Sequence, residues 1–103
     1  MEIDQILEER GSRYGDFGSH AIITQNIKAA MRHSHNWAKL PNDMKESLEM
    51  VAHKIGRILN GDPNYADSWI DIVGYTQLVV DRLERCQNGS PGVNDQHQTE
   101  NGN

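Results

Sequence analysis

The 103-residue sequence has few of the residues that indicate a disulfide-bonded, membrane-spanning or nucleic-acid-coating protein. Its one cysteine, Cys86, excludes an internal disulfide and a cysteine-rich zinc site. No apolar run approaches the ~20 residues of a membrane span and no segment resembles a signal peptide, so we expect a cytoplasmic protein without a membrane partner. The formal net charge of −5 has the wrong sign for a general binder of nucleic-acid polymers, which needs a basic surface.

Hydrophobic residues are also scarce, at 36% of the chain, partly because the C-terminal segment contains almost none. That segment, 87–103, is rich in Asn, Gln and Gly, which predicts a disordered tail after one helical domain at 1–86. A domain of roughly 85 residues buries only about 60% of the surface that its unfolded chain exposes. Apolar positions also occupy more than one face of the predicted helices, so we expect a homo-oligomer, either a dimer or a tetramer.

The spacing of apolar residues predicts an all-α fold with four helices. Gly15 and Gly18 predict a loop at 13–17, between the first helix and the second. The last two helices are joined by a tight turn, so we expect them to form an antiparallel hairpin. The predicted bounds are 3–12, then from an N-cap at Ser19 to Arg32, then from Pro41 to Asn60, and then from an N-cap at Asn64.

Polar side chains follow the edge of the apolar face on both helices of the predicted hairpin. They are Glu46, Glu49, His53 and Arg57 on the third helix, and Asp67, Asp71 and Tyr75 on the fourth. If the two edges face one another, four carboxylates come close enough to hold one or two Mg²⁺ ions, which prefer oxygen ligands. The alternative is a solvated helix edge, on which Glu49 pairs with His53 or Lys54 and Asp67 only caps its helix.

Three further positions have an open interpretation. In the predicted loop, Arg13 and Tyr14 can contact a ligand; alternatively, Tyr14 packs on the core with Phe17 while Arg13 is solvated. Gly74 costs about 1 kcal/mol relative to alanine inside a helix. It therefore indicates either a close helix approach, room for a ligand, or a merely tolerated glycine.

Three segments resemble one small family of phage and prophage proteins: ILEERGSRYGDF at 6–17, ESLEMVAHKIGRILNGDPNYADSW at 46–69, and DIVGYTQLVVDRL at 71–83. That family is similar to the MazG-like, all-α NTP pyrophosphohydrolase superfamily. The resemblance implies a helical oligomer that binds Mg²⁺ through ExxE on one helix and ExxD on the next, and that cleaves nucleoside triphosphates to monophosphate and pyrophosphate. The ExxE motif matches Glu46 to Glu49, the implied catalytic pair. The second motif departs from the pattern, because Asp67 and Asp71 are four residues apart.

Three hypotheses about function follow. In the first, the protein is a Mg²⁺-dependent nucleotide pyrophosphohydrolase of a phage, acting in the cytoplasm of the infected bacterium. In the second, it is a non-catalytic sponge that sequesters a host nucleotide immune signal, such as a cyclic dinucleotide or an ADP-ribose derivative. In the third, it is a structural or interaction protein. The metal ligands of the first hypothesis are Glu46, Glu49, Asp67 and Asp71. The predicted ligand-binding residues are Arg13, Tyr14, His53, Lys54, Arg57, Asp67, Asp71 and Tyr75.

Overall fold

The computed structural model describes residues 2–88. These residues form four α-helices and one short 3₁₀ helix, without a β-strand: α1 (Ile3–Tyr14), α2 (Phe17–Arg32), the 3₁₀ helix (Trp37–Lys39), α3 (Asn42–Asn60) and α4 (Ala66–Asn88). The predicted all-α class and the predicted number of helices are confirmed. The predicted tail lies outside the described residues, except for 87 and 88, which continue α4.

Two of the predicted helix starts are wrong, one because another side chain is the cap and one because the predicted cap lies in a turn before the helix. The Asp16 carboxylate accepts a hydrogen bond from the Ser19 backbone N–H at 2.9 Å, so Asp16 is the N-cap of α2 and Ser19 lies in its first turn. The Asn64 N–H donates to the Asp62 carboxylate at 2.9 Å, which makes Asn64 part of a turn before α4 begins at Ala66.

The first helix is longer than predicted, because it continues through Gly11 to Tyr14. Only Gly15, with a φ of 78°, turns the chain out of the helix. Residues 13 and 14 therefore belong to α1, and the connection to α2 is shorter than the predicted loop at 13–17.

Helix α3 lies at the centre of the fold and packs against α1, α2 and α4. Three contacts with α4 pair Asp43 with Arg82, Ser47 with the backbone carbonyl of Tyr75, and Lys54 with Asp71. Partner numbers along α4 thus fall as residue numbers rise along α3. On the other side of α3, Gly56 allows close approach to α2, because an added Cβ would overlap the Thr24 hydroxyl.

The described part of the chain has a thin apolar core. Its only buried hydrophobic residue is Ala52, at 1% exposure. By contrast, large apolar side chains of α4 are exposed, namely Trp69, Ile70, Val73, Leu78 and Val80. Gly74 lies among them in open space, since an added Cβ would meet no atom within 4 Å, so no described helix packs closely against it. None of the described helices combines the length and apolar character that a membrane crossing requires.

Candidate functional site

A cavity of about 440 Å³ lies where α1, the start of α2 and the C-terminal half of α3 meet. This volume is within the range of small-molecule sites, about 300–1,000 Å³. The cavity is lined by Leu7, Arg10, Gly11, Tyr14, Gly15, Asp16, Phe17, His20, His53 and Arg57.

The end of α3 holds the junction between α1 and α2 in place. The Asn60 side-chain amide donates hydrogen bonds to the backbone carbonyls of Tyr14 and Asp16, at 2.9 and 2.8 Å. The Asp62 N–H donates to the carbonyl of Arg13 at 2.7 Å. These three bonds join positions more than 40 residues apart in sequence, and they determine where the α1 wall of the cavity lies relative to α3.

Two guanidinium groups lie near the Tyr14 ring at the cavity. The Arg57 Cζ lies 4.2 Å from the ring centroid, and the Arg10 Cζ lies 5.8 Å from it. The Tyr65 ring meets Tyr14 edge-on, with 6.0 Å between centroids. Such cation–π contacts hold the cations in place at about 0.5–1 kcal/mol each at exposed sites. Tyr14 therefore positions positive charge beside the cavity instead of packing into an apolar core.

Arg13, also predicted to bind a ligand, is directed elsewhere. Its guanidinium lies over the Tyr65 ring, 4.4 Å from the centroid, and it forms an ion pair with Glu9 at 3.4 Å. It is not among the residues that line the cavity.

Two histidines from different helices are in contact at the cavity wall. The rings of His20 and His53 meet edge-to-face, with 4.7 Å between centroids. His20 is 5% exposed and shares a hydrogen bond of 3.3 Å with the Thr24 hydroxyl through Nε2. Burial, reinforced by the positive charge of Arg57, lowers the pKa of His53 from 6.5 to about 4, and burial also lowers the pKa of His20. Both imidazoles are therefore neutral at pH 7.

Of the predicted metal ligands on α3, Glu46 is exposed. The Glu49 carboxylate accepts a hydrogen bond from the Arg32 guanidinium of α2 at 3.2 Å. Glu49 thus interacts with a helix on the opposite side of α3 from α4.

The predicted metal ligands on α4 also have partners. Asp67 accepts a hydrogen bond from the Tyr65 hydroxyl at 2.9 Å, and this contact raises the pKa of Tyr65. Asp71 forms an ion pair with Lys54 at 3.0 Å. Within residues 2–88, no three or more His, Cys, Asp or Glu side chains are grouped so that they could hold a metal ion. The Mg²⁺ site remains a prediction.

The eight predicted ligand-binding residues therefore separate into two places. Tyr14, His53 and Arg57 line the cavity, whereas Arg13, Lys54, Asp67, Asp71 and Tyr75 lie outside its lining. Sequence reasoning did not assign Arg10, Phe17 or His20 to the site. The available indication was weak: Arg10 precedes Tyr14 by one helical turn, as His53 precedes Arg57, so each pair shares a helix face.

The fold and the cavity define the chain as a small all-α protein with a cationic, aromatic-lined site. In comparisons with protein-family models, curated proteins and solved structures, no match was found. The resemblance to MazG-like proteins therefore remains a prediction.

Proposed function

We propose that this protein binds a phosphorylated nucleotide in the cavity between α1, α2 and α3. The observation that carries the proposal is a pair of guanidinium groups, Arg10 and Arg57, that line the cavity without a carboxylate partner within 4 Å among residues 2–88. The two side chains place positive charge on the cavity wall of a protein whose formal net charge is −5, and such local charge favours an anionic ligand.

The local charge of the cavity is positive. Its one acidic lining residue among those described is Asp16, and that carboxylate already accepts the backbone N–H and the hydroxyl of Ser19, at 2.9 and 3.2 Å. Arginine suits a phosphate partner because its planar fork can donate two parallel hydrogen bonds. Since Tyr14 restrains Arg57, less conformational entropy is lost when Arg57 binds a ligand.

The wider architecture that we propose is a MazG-like bundle, with α3 and α4 as its antiparallel hairpin. The reversed order of their contacts supports this arrangement. We also propose that the protein is a homo-oligomer in the cytoplasm of an infected bacterium. Ala52 alone cannot supply the core of an independent domain, and a second copy would cover the exposed apolar side chains of α4.

Binding without cleavage is the function that the side-chain contacts favour, as in a sponge for a host cyclic dinucleotide or ADP-ribose derivative. The carboxylates of Glu49, Asp67 and Asp71 each contact a different partner. Among residues 2–88 they are not grouped with one another as a metal site would require. Mg²⁺-dependent pyrophosphohydrolysis, with Glu46 and Glu49 as catalytic residues, is the second candidate, and it rests on the resemblance in sequence.

Isothermal titration calorimetry with nucleoside mono- and triphosphates, cyclic dinucleotides and ADP-ribose tests the proposal. We expect binding by at least one of these compounds and at least a tenfold loss of affinity in Arg57→Gln. The matched control is Arg85→Gln, which removes the same charge from an exposed position of α4 that does not line the cavity. The absence of binding by every compound, or an equal effect of the two substitutions, would refute the proposal.

Chromatography of the ligand after incubation with Mg²⁺ distinguishes the two candidates. For a nucleoside triphosphate ligand, recovery of the intact compound supports sequestration, whereas release of the monophosphate and pyrophosphate shows hydrolysis. If hydrolysis occurs, Glu46→Gln should abolish it without weakening binding, because Glu46 does not line the cavity.

A further inference from the structure

Beside its cationic part, the cavity has a second part built from uncharged rings. Phe17 lies next to His20, with ring centroids 6.0 Å apart at 37°, and His20 in turn contacts His53. Phe17 is 76% exposed, so most of its ring surface is free although it lines a cavity. Exposed aromatic surface in a cavity is suited to stacking against another flat ring.

His53 provides hydrogen-bonding groups beside that free ring. Its imidazole makes no hydrogen bond with other residues of the described chain, and its ring nitrogens are not among the fully buried polar atoms. A neutral imidazole offers one donor and one acceptor. Leu7 adds an apolar side chain to this part of the lining. A flat, uncharged ring with polar edges therefore fits here better than a second phosphate.

The order of residues along α3 separates the two parts of the cavity. His53 precedes Arg57 by four residues, which corresponds to about 6 Å along the helix axis. The hydrogen-bonding ring and the guanidinium can therefore contact different ends of one ligand. The Arg57 guanidinium already covers one face of the Tyr14 ring, so that face cannot stack on the ligand.

We infer that Phe17 and His53 bind the nucleobase, while Arg10 and Arg57 bind the phosphate. This inference rests on the proposed function and makes it more specific: the ligand carries a heterocycle that stacks on Phe17 and exchanges hydrogen bonds with His53. Stacking of a base on an aromatic side chain contributes enough affinity to be measured. Base-free phosphorylated compounds are then weak ligands of the same cavity.

Matched ligands with and without a base test the inference on the full chain. The four nucleoside 5′-monophosphates are compared with ribose 5-phosphate, and the four nucleoside triphosphates with tripolyphosphate, by calorimetry at pH 7.5. We expect at least one nucleotide to bind ten times more tightly than its base-free counterpart. If nucleotides and base-free compounds bind equally, the inference is wrong and the proposed function stands. If none of them binds, the inference is wrong, and the proposed function fails with it if the cyclic dinucleotides and ADP-ribose do not bind either.

Two substitutions assign the preference to the named residues. Phe17→Leu and His53→Phe should each reduce the ratio of nucleotide affinity to ribose 5-phosphate affinity at least fivefold. Phe17 is exposed, so its substitution does not threaten folding even if that of His53 does. Ile22→Ala is the control, since Ile22 is an exposed apolar residue of α2 outside the cavity. An unchanged preference in Phe17→Leu would overturn the assignment.

Discussion

Replacing Asp71 by asparagine should destabilise the protein more than replacing Lys54 by methionine, although both changes break the same ion pair. The Lys54 side chain is 10% exposed and the Asp71 side chain is 44% exposed, with 3.0 Å between Nζ and Oδ2. Asp71→Asn leaves a nearly buried ammonium group without an anionic partner, which is costly. Lys54→Met keeps the apolar stem and leaves a carboxylate that water already solvates.

The exposures set the size of the difference. Removing one partner of a fully buried ion pair costs about 3–5 kcal/mol, whereas exposed pairs contribute about 0–1 kcal/mol. With one buried partner and one half-exposed partner, we expect Asp71→Asn to lower the free energy of unfolding by about 2 kcal/mol. For a domain of this size, that corresponds to a fall in melting temperature of roughly 8–16 °C. We expect Lys54→Met to cost less than about 1 kcal/mol.

Urea unfolding followed by far-UV circular dichroism measures both values. Protein concentration must be equal in all samples, because oligomers unfold in a concentration-dependent way. Asp43→Asn is the control, since it breaks the other ion pair between α3 and α4, whose side chains are 31% and 42% exposed. The control should be less destabilising than Asp71→Asn. Equal effects of Asp71→Asn and Lys54→Met would refute the reasoning from burial.

Three further predictions concern packing, the α1 junction and pH. Gly56→Ala should lower the free energy of unfolding in urea by about 1–3 kcal/mol, because the added Cβ would overlap Thr24. Gly74→Ala should raise it by up to about 1 kcal/mol, because the added Cβ would meet no atom. The reverse order would contradict the packing. Asn60→Ala removes two hydrogen bonds to the α1–α2 junction and should lower the free energy of unfolding by about 1–3 kcal/mol. Amide hydrogen exchange in α1 should become faster, and unchanged exchange there would contradict this role. Because the pKa of His53 is lowered from 6.5 to about 4, only the unfolded chain binds that proton between these values. Stability should therefore fall as the pH is lowered from 6.5 to 4, and a His53→Gln variant with the same pH profile would argue against this cause.

The sequence predicted the helices better than their ends. Apolar spacing is a property of ten or more residues together, so a single ambiguous position does not hide a helix. A cap depends on one side chain, and several polar residues near each start compete for the role. Ser19 and Asn64 were suitable candidates, but Asp16 caps α2, and Asn64 lies in a turn with Asp62 before α4 begins.

The candidate site could be predicted only in part, because its residues come from three helices. Tyr14, His53 and Arg57 were proposed as ligand residues from their types and positions, and all three line the cavity. His20 could not be recognised in this way, since its partners on α3 are more than 30 residues away in sequence. Helical spacing states which face a residue occupies but does not state which helix covers that face.

The sequence by itself determined that the protein is helical, because the apolar periodicity and the glycine and proline positions act locally and leave little choice of backbone. Only the tertiary structure decided which polar side chains meet. It paired Lys54 with Asp71 and Glu49 with Arg32, and it placed Arg57 beside a cavity with no carboxylate partner in the described part of the chain. The physical reason is that close packing between helices decides which side chains come into contact. Gly56 permits α2 to approach α3, and Asn60 joins α1 to the end of α3.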